Sequence, residues 1–411
     1  MKALRLLPAG AEPAAGLLLA SRVLRGFVDG YVAVLLPAYL QALGMGVVQI
    51  GVLSTLTLAG SAVATIAVGA LGHRVPRARL MLLAALTMVG TGLGFASLDA
   101  FWPLAVVAFV GTLNPSSGDV SIFLPLEHAR LAHAAHDSAT RTALFARYAL
   151  LGSLSAALGA LVSGLPAWWA AHTGGAPLPA MRALFLAYAA VGVLVALLYR
   201  RLDRQRSGDA DAEAPGATPS QPLGPSRGIV VKLAMLFCVD SFAGGLLVNA
   251  LLALWLFQRF GLSLPEAGRF FFWSGLLTTA SQLLAPAVAR RNGLVNTMVF
   301  THNPASLFLI AAAFAPALPG ALALLFLRSA LSSMDVPARS AFVMGVVTPP
   351  ERAAAASFTA VPRSLAAAVG PTIGASLLAS GVLAAPLVAC GVLKISYDLT
   401  LLALFRRHPV D

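Results

Sequence analysis

The chain has 411 residues, 58% of them hydrophobic and only 11% charged, with a mean hydropathy of +0.84. A soluble domain carries about 25% charged residues, so this composition excludes a water-soluble protein. Its 28 Lys and Arg against 16 Asp and Glu leave a net charge of +12, yet a nucleic-acid binder gathers such charge on one soluble face and this sequence has no soluble domain to carry one.

The pattern predicts an all-α membrane protein of twelve spans, each near the roughly 20 apolar residues a spanning helix needs. The first span is expected at 16–41; with Arg22, Arg25 and Asp29 inside it, it is too long and too charged for a cleaved secretory signal. Further spans follow at 47–71, 79–98, 101–124, 141–165 and 180–201. A stretch rich in Asp, Gly, Pro and Ser then interrupts the hydrophobic pattern as a linker does. The second set lies at 229–258, 265–289, 294–314, 318–336, 353–380 and 382–406. The expected organisation is therefore a six-helix half (1–201), a cytoplasmic linker (202–228) and a second six-helix half (229–411). Cys238 and Cys390 both fall inside apolar segments and build no disulfide framework.

Basic residues orient the chain. With both termini and the linker placed in the cytoplasm, the 28 Lys and Arg fall on the inner side, except Arg182, Arg259 and Arg269 outside and Arg328 and Lys394 within spans. That bias sets topology during insertion. It predicts a multi-pass protein of the cell inner membrane with lipid around it, a monomer that needs no nucleic acid.

The halves also echo each other. Ser116-Ser117-Gly118-Asp119-Val120 with Arg147 recurs as Ser332-Ser333-Met334-Asp335-Val336 with Arg363, every residue displaced by 216 positions (116 to 332, 147 to 363). Gln41, Gly44, Gly51, Arg74 and Met81 recur as Gln258, Gly261, Gly268, Arg291 and Met298 at a displacement of 217 (41 to 258). Internal repeats of this kind fix an architecture.

Between the second and third spans, Gly69-Ala70-Leu71-Gly72-His73-Arg74-Val75-Pro76-Arg77 resembles the signature loop of the major facilitator superfamily, G-x-L-x-D-R-x-G-R-R. Gly69, Leu71, Arg74 and Arg77 match; His73 stands where the family has Asp and Pro76 where it has Gly. Val288, Arg290, Arg291 and Gly293 form a decayed copy in the second half. The resemblance implies alternating access: two halves rock around a central site lined mainly by the first, fourth, seventh and tenth spans. Gating residues on this reading are Gly69, His73, Arg74 and Arg77 in the loop, and two repeated pairs, Asp119 with Arg147 and Asp335 with Arg363.

Charges within hydrocarbon are expensive and therefore candidate functional groups. Asp29 heads the transport-path candidates, with Arg25 four residues before it on the same helical face; a purely structural Arg25–Asp29 pair is the plain alternative. Asp240 is the acid of the seventh span, with Gly244 and Gly245 allowing close approach by another helix and Asn249 nearer the outer end. Arg328 in the tenth span reads either as an ion-pair partner for these acids or as a counter-charge for an anionic solute. Asn114, beside Pro115 in the fourth span, is a further cavity candidate. Lys394 and Asp398 lie four apart and read as an intrahelical pair, with a coupling site as the alternative, and His302 reads as a hydrogen-bonded packing residue, with a proton relay as the alternative. Glu127, His128, His133, His136 and Asp137 read as a solvated loop, since spacings of five and three do not stack the histidines on one helical face. No metal and no cofactor is expected.

The absence of a G-x-x-x-x-G-K-[ST] loop excludes ATP-driven transport by this chain, and neither H-E-x-x-H nor G-x-S-x-G is present to suggest a membrane enzyme. The expected function is secondary active transport of a small organic solute by proton-coupled efflux, an antiporter in which Asp29 carries the proton. Two alternatives stay open: proton-coupled import of an organic anion, and a transport-inactive sensor on the same fold.

Overall fold

The computed structural model describes residues 7–8, 11–71, 75–116, 121–134, 137–204 and 223–406. In hydrocarbon every backbone N–H and C=O must be satisfied internally, which leaves helices as the structure open to a chain of this pattern. The described residues form sixteen α-helices and one 3-10 turn, Pro349–Glu351. The first set comprises α1 (Ala14–Ala42), α2 (Val47–Leu71), α3 (Arg77–Ser97), α4 (Phe101–Val110), α5 (Phe123–His133), α6 (Ser138–Val162), α7 (Leu165–Thr173) and α8 (Leu178–Arg204). The second comprises α9 (Arg227–Gly245), α10 (Asn249–Phe260), α11 (Leu264–Asn292), α12 (Leu294–Ala313), α13 (Leu318–Leu331), α14 (Asp335–Gly345), α15 (Arg352–Ala379) and α16 (Ala385–Phe405). Joining the short helices that follow one another across a break (α4 with α5, α6 with α7, α9 with α10, α13 with α14) gives the twelve spans. Among the described residues, eight helical stretches are long and apolar enough to cross a membrane by length and composition alone.

Three spans expected to be continuous are broken, each at residues that compete with the helical ladder. In the fourth, Gly111 and Pro115 weaken the helix, and Asn114 Oδ1 accepts hydrogen bonds from the Ser116 N–H at 3.0 Å and the Ser116 hydroxyl at 2.7 Å. In the seventh the break follows Gly244-Gly245, and in the tenth it falls at Ser332-Ser333. Both described parts of the repeated Ser-Ser motif thus sit at the break of a fourth-position span.

The chain divides into two compact units, Met1–Met45 with Leu56–Pro215 and Leu264–Phe272, and Gly46–Thr55 with Gly216–Ser263 and Trp273–Asp411. In the first unit α1 packs along α6 and against α8, and α3 along α8. In the second, α9 packs along α15 and against α16, and α12 along α16. First span with fifth and sixth, third with sixth: the internal repeat is a repeat of packing partners.

Small residues let these helices touch, as membrane interfaces require. A Cβ added at Gly30 of α1 would lie 2.0 Å from the Ala156 carbonyl oxygen, and one at Gly159 of α6 would lie 1.9 Å from that of Phe27. In the second unit, Gly245 and Gly370 meet backbone to backbone where α9 crosses α15, and a Cβ at Gly374 would lie 2.0 Å from the Leu246 oxygen. Gly245 thus makes the close approach that the sequence predicts for the Gly244-Gly245 pair. The start of α2 is fastened within the same unit, because Thr55 Oγ1 accepts from the Thr372 N–H at 3.0 Å and the Thr372 hydroxyl at 2.8 Å.

Outside the spans, the 3-10 turn clasps the start of α9. The Glu351 carboxylate accepts from the Gly224 N–H at 2.8 Å and the Ser226 N–H at 3.1 Å, satisfying donors that a helix start leaves open. Hydrogen bonding, first from the Ser226 side chain and then from these backbone groups, holds the Glu351 carboxyl below the usual range.

Two outcomes follow from this packing. Gly30→Val is expected to lower stability by about 1–3 kcal/mol through overpacking against α6, read as a fall in the thermal unfolding midpoint of the purified protein. For Glu351 the depressed value means that its stabilisation is complete above the ordinary glutamate range and is lost as pH falls through the folded-state value. Limited proteolysis between 223 and 227 should therefore accelerate in Glu351→Ala at pH 7 while native protein resists, with the native protein approaching the variant's rate only in acid.

Candidate functional site

Buried charges that remain charged have to be paired and hydrogen-bonded, and in the second unit that requirement gathers side chains from four spans. Asp240 of α9 is 5% exposed. Its Oδ1 accepts from Lys394 Nζ of α16 at 2.7 Å, and its Oδ2 from Arg339 Nη1 of α14 at 2.9 Å. Arg339 Nη2 reaches Asp335, one turn earlier in its own helix, at 2.7 Å. His302 of α12 stands 3.0 Å from Asp398 through Nδ1 and 3.3 Å from Lys394 Nζ through Nε2. A carboxylate on Nδ1 and an ammonium on Nε2 assign the tautomer: Nδ1–H donates to Asp398, and Nε2 accepts from Lys394. The result is one hydrogen-bonded chain, Asp398–His302–Lys394–Asp240–Arg339–Asp335.

This chain borders a cavity of about 250 Å³, lined by Asp240, His302, Arg339 and Lys394 together with Arg328 of α13 and hydroxyls of nearby serines. Such an arrangement places exchangeable protons and both signs of charge on the wall of a space that a small solute can enter.

The first unit holds a tighter cluster. Glu127 of α5, 0% exposed, accepts from Arg25 of α1, from the Tyr148 hydroxyl of α6, from Tyr199 of α8 at 2.5 Å and from Ser21 at 2.7 Å. The Arg25 guanidinium also lies 4.2 Å over the Phe123 ring. Four helices converge on one carboxylate.

Several readings from spacing are corrected here. Lys394 and Asp398 do not pair within α16; each reaches a better partner on another helix, Asp240 and His302. His302 is buried and hydrogen-bonded, as expected of a packing histidine, and its partners are Asp398 and Lys394. The direct partner of Arg25 is Glu127, which offers a fully buried carboxylate also held by two tyrosines, whereas Asp29 is half-buried. Glu127 lies in a helix rather than a solvated loop, the fourth span having broken before it. Asp335 belongs to Arg339 and not to Arg363, since one turn of helix brings the first pair together.

Other candidates stand apart from the cavity. Asn249 opens α10 and Asn114 holds the break between α4 and α5; neither lines the cavity. Arg147 and Arg363 are half-buried on α6 and α15, Gly69 is exposed near the end of α2, and Arg77 opens α3. Asp119, His73 and Arg74 lie outside the described residues, as does His136. Asp240 and Arg328 both line the cavity. Sequence reasoning missed Arg339, Glu127, Tyr148 and Tyr199; the four-residue spacing of Asp335 and Arg339 was the available signal for the first.

Comparisons agree with this architecture. A profile of the Major Facilitator Superfamily matches residues 18–327. Uncharacterized membrane protein YJR124C of Saccharomyces cerevisiae is 26% identical over 418 residues, spanning 95% of this chain and 93% of its own. The solved structure of the nucleoside transporter NupG is similar at a TM-score of 0.71 and 16% identity, over 96% of this chain and 100% of that one. A bacterial homolog of the human lysosomal transporter Spinster, inward-facing and occupied, gives 0.68 at 15% identity over 97% and 99%. The human organic anion transporter MFSD10 gives 0.60 at 18% identity over 95% and 100%.

Removing one partner of a buried ion pair strands the other charge. Glu127→Gln is expected to destabilise the protein by about 3–5 kcal/mol. The double variant Arg25→Met with Glu127→Leu should recover most of that loss, since neither charge remains. Thermal unfolding of the three proteins in one detergent decides it; a double variant as unstable as the single one would show that the cluster holds the fold by more than its ion pair.

Proposed function

Because the chain belongs to the major facilitator superfamily and is therefore a multi-pass transporter, not an enzyme, we propose that it moves a small organic solute by proton-coupled alternating access. The protein acts as a monomer in the cell inner membrane, with both termini cytoplasmic and a two-half organisation joined by the 202–228 linker. The observation that carries this reading is Asp240, a carboxylate on the wall of the cavity held by Lys394 and Arg339 and connected through Lys394 to His302 and Asp398. A carboxylate held by two cations takes up a proton only as those partners draw away from it, which ties protonation to a change of conformation. Each proton entering down a 100 mV potential supplies about 2.3 kcal/mol, enough to concentrate a solute severalfold.

Asp240 is placed before Asp29 as the primary coupling residue because Asp240 lines this cavity and is tied to Lys394 and Arg339. Export in exchange for protons remains the leading direction, with Asp29 on the first span as a second proton site. Import of an organic anion with protons is the second reading, favoured by Arg328 on the cavity wall. Conformational gating by Asp335 then runs through Arg339 and Asp240, so the gate and the coupling group share one chain of hydrogen bonds. Neighbours titled nucleoside transporter and organic anion transporter put those two solute classes first in a screen.

The test uses proteoliposomes and a solute found in that screen. Asp240→Asn should abolish accumulation driven by a pH gradient and retain exchange of labelled for unlabelled solute, with Asp29→Asn reducing accumulation only in part. If Asp240→Asn accumulates solute as the native protein does, Asp240 is not the coupling residue. Reversing vesicle orientation reads the direction.

A further inference from the structure

We infer that the cavity beside Asp240 binds the carboxylate of a small monocarboxylic acid, gripped by Arg328 and the hydroxyls of Ser306, Ser332 and Ser333; this assignment rests on the transport reading and names its solute class. Three cations line the cavity, and two of them already have partners. Arg339 holds Asp240 and Asp335, and Lys394 holds Asp240 and meets His302. The Arg328 guanidinium lines the same space without a hydrogen bond or ion pair to its side chain among the described residues. A cation inside a membrane span is retained there at a cost, and its place is a protein interior or a cavity where it meets a counter-charge.

The hydroxyls are the independent observation. Ser306 is 2% exposed, and its Oγ has no hydrogen-bond partner although the residue lines the cavity. Buried hydroxyls are ordinarily satisfied, and those in helices commonly bond the carbonyl four residues back. Thr301 does so at 2.8 Å and Ser329 at 2.9 Å in the neighbouring turns. Ser332 and Ser333, at the break between α13 and α14, also line the cavity, and neither side chain is hydrogen-bonded among the described residues. Three serines and one planar fork of N–H donors thus line a single small volume.

Charge and size narrow the ligand. The lining carries three cations, Arg328, Arg339 and Lys394, against two carboxylates, Asp240 and Asp335. Asp398, behind His302, is not part of the wall. On the wall itself Arg328 is the cation without a carboxylate beside it, and a single negative charge placed there pairs it, while Asp398 behind His302 brings the wider cluster to three cations and three carboxylates. A guanidinium accepts a carboxylate in bidentate fashion. A phosphate monoester brings nearer two charges and overshoots the balance, while a neutral solute leaves Arg328 without a counter-charge. At about 250 Å³ the space is below the roughly 300–1,000 Å³ of pockets for drug-sized ligands, so the acid is small.

Isothermal titration of the purified full-length protein in detergent tests this with lactate and benzoate, their neutral isosteres lactamide and benzamide, and phenyl phosphate. The acids are expected to bind at least about tenfold more tightly than their amides. Arg328→Gln should weaken the acids by about ten- to a hundredfold, the scale of one charge-assisted pair, and leave the amides unchanged. Arg328→Lys should fall between, having the charge without the fork, and Ser306→Ala should weaken the acids severalfold; unfolding midpoints near the native value confirm folded variants. Equal binding of acids and amides, a preference for phenyl phosphate, full-strength acid binding by Arg328→Gln, or no acid binding at all would each overturn the assignment. Amide binding with proton-linked flux intact would remove the carboxylate and keep transport. Acid binding that produces no flux in proteoliposomes would keep the site and remove transport.

Discussion

A charge within a membrane span needs a counter-charge on another element, and the internal architecture of each unit is arranged around one such pair. In the first unit Arg25 of the first span meets Glu127 in the inner helix of the fourth. In the second, Asp240 of the first span meets Arg339 in the inner helix of the fourth. The elements correspond and the signs are exchanged. Asp240 lies 215 positions after Arg25 (25 to 240) and Arg339 lies 212 after Glu127 (127 to 339), so the pairs share elements without falling at the displacement of 216 to 217 that relates the repeated motifs. Pairing of this kind yields little net stability when formed and much instability when half-removed, so each pair fixes which helices belong together more than how tightly they hold.

Breaks in the fourth-position spans make these pairs reachable. Backbone interrupted at membrane depth is tolerated where protein or a cavity satisfies it. In the first unit Asn114 and Ser116 satisfy the break with each other. In the second, Ser332 and Ser333 leave their hydroxyls toward the cavity. The break also resets the helix that follows, so that Asp335 starts α14 and Arg339 stands one turn on, beside Asp240. The described parts of the repeated Ser-Ser motif therefore mark where a span is cut and re-aimed.

The spans and the repeat were legible in the sequence because they are properties of local composition and fixed displacement, and the signature loop around Gly69 and Arg77 named the family. The site was legible only in its parts. Asp240 and Arg328 stood out because a charge in an apolar run is visible without a partner. Their partners were not visible, because Asp240 and Arg339 are 99 residues apart, Lys394 and Asp240 154, and Arg25 and Glu127 102. Sequence spacing speaks reliably only for one helical turn, and there it proposed Arg25 with Asp29 and Lys394 with Asp398. Those pairs lose to contacts across helices, where a carboxylate meets several donors at once. Glu127 was misplaced for a related reason: a polar run after an apolar one reads as a loop unless the break that precedes it is recognised.

The two clusters differ in a way that bears on mechanism. Glu127 and Arg25 are 0% and 2% exposed, and the carboxylate has a donor on every side. No ligand competes for either group without first opening the packing of four helices. Asp240 has the same kind of partners but lies on a cavity wall, beside a guanidinium that the protein itself leaves unpaired among the described residues. Lys394 and Arg339 each contact a second group besides Asp240, so their hydrogen bonds can shift along the chain toward His302 or Asp335 as the charge in the cavity changes. A pair closed on all sides leaves no room for a competing group, whereas a pair of the same kind on a cavity wall does. The inversion of sign between the two clusters puts a carboxylate, Asp240, on the first span of the second unit and on the wall of this cavity.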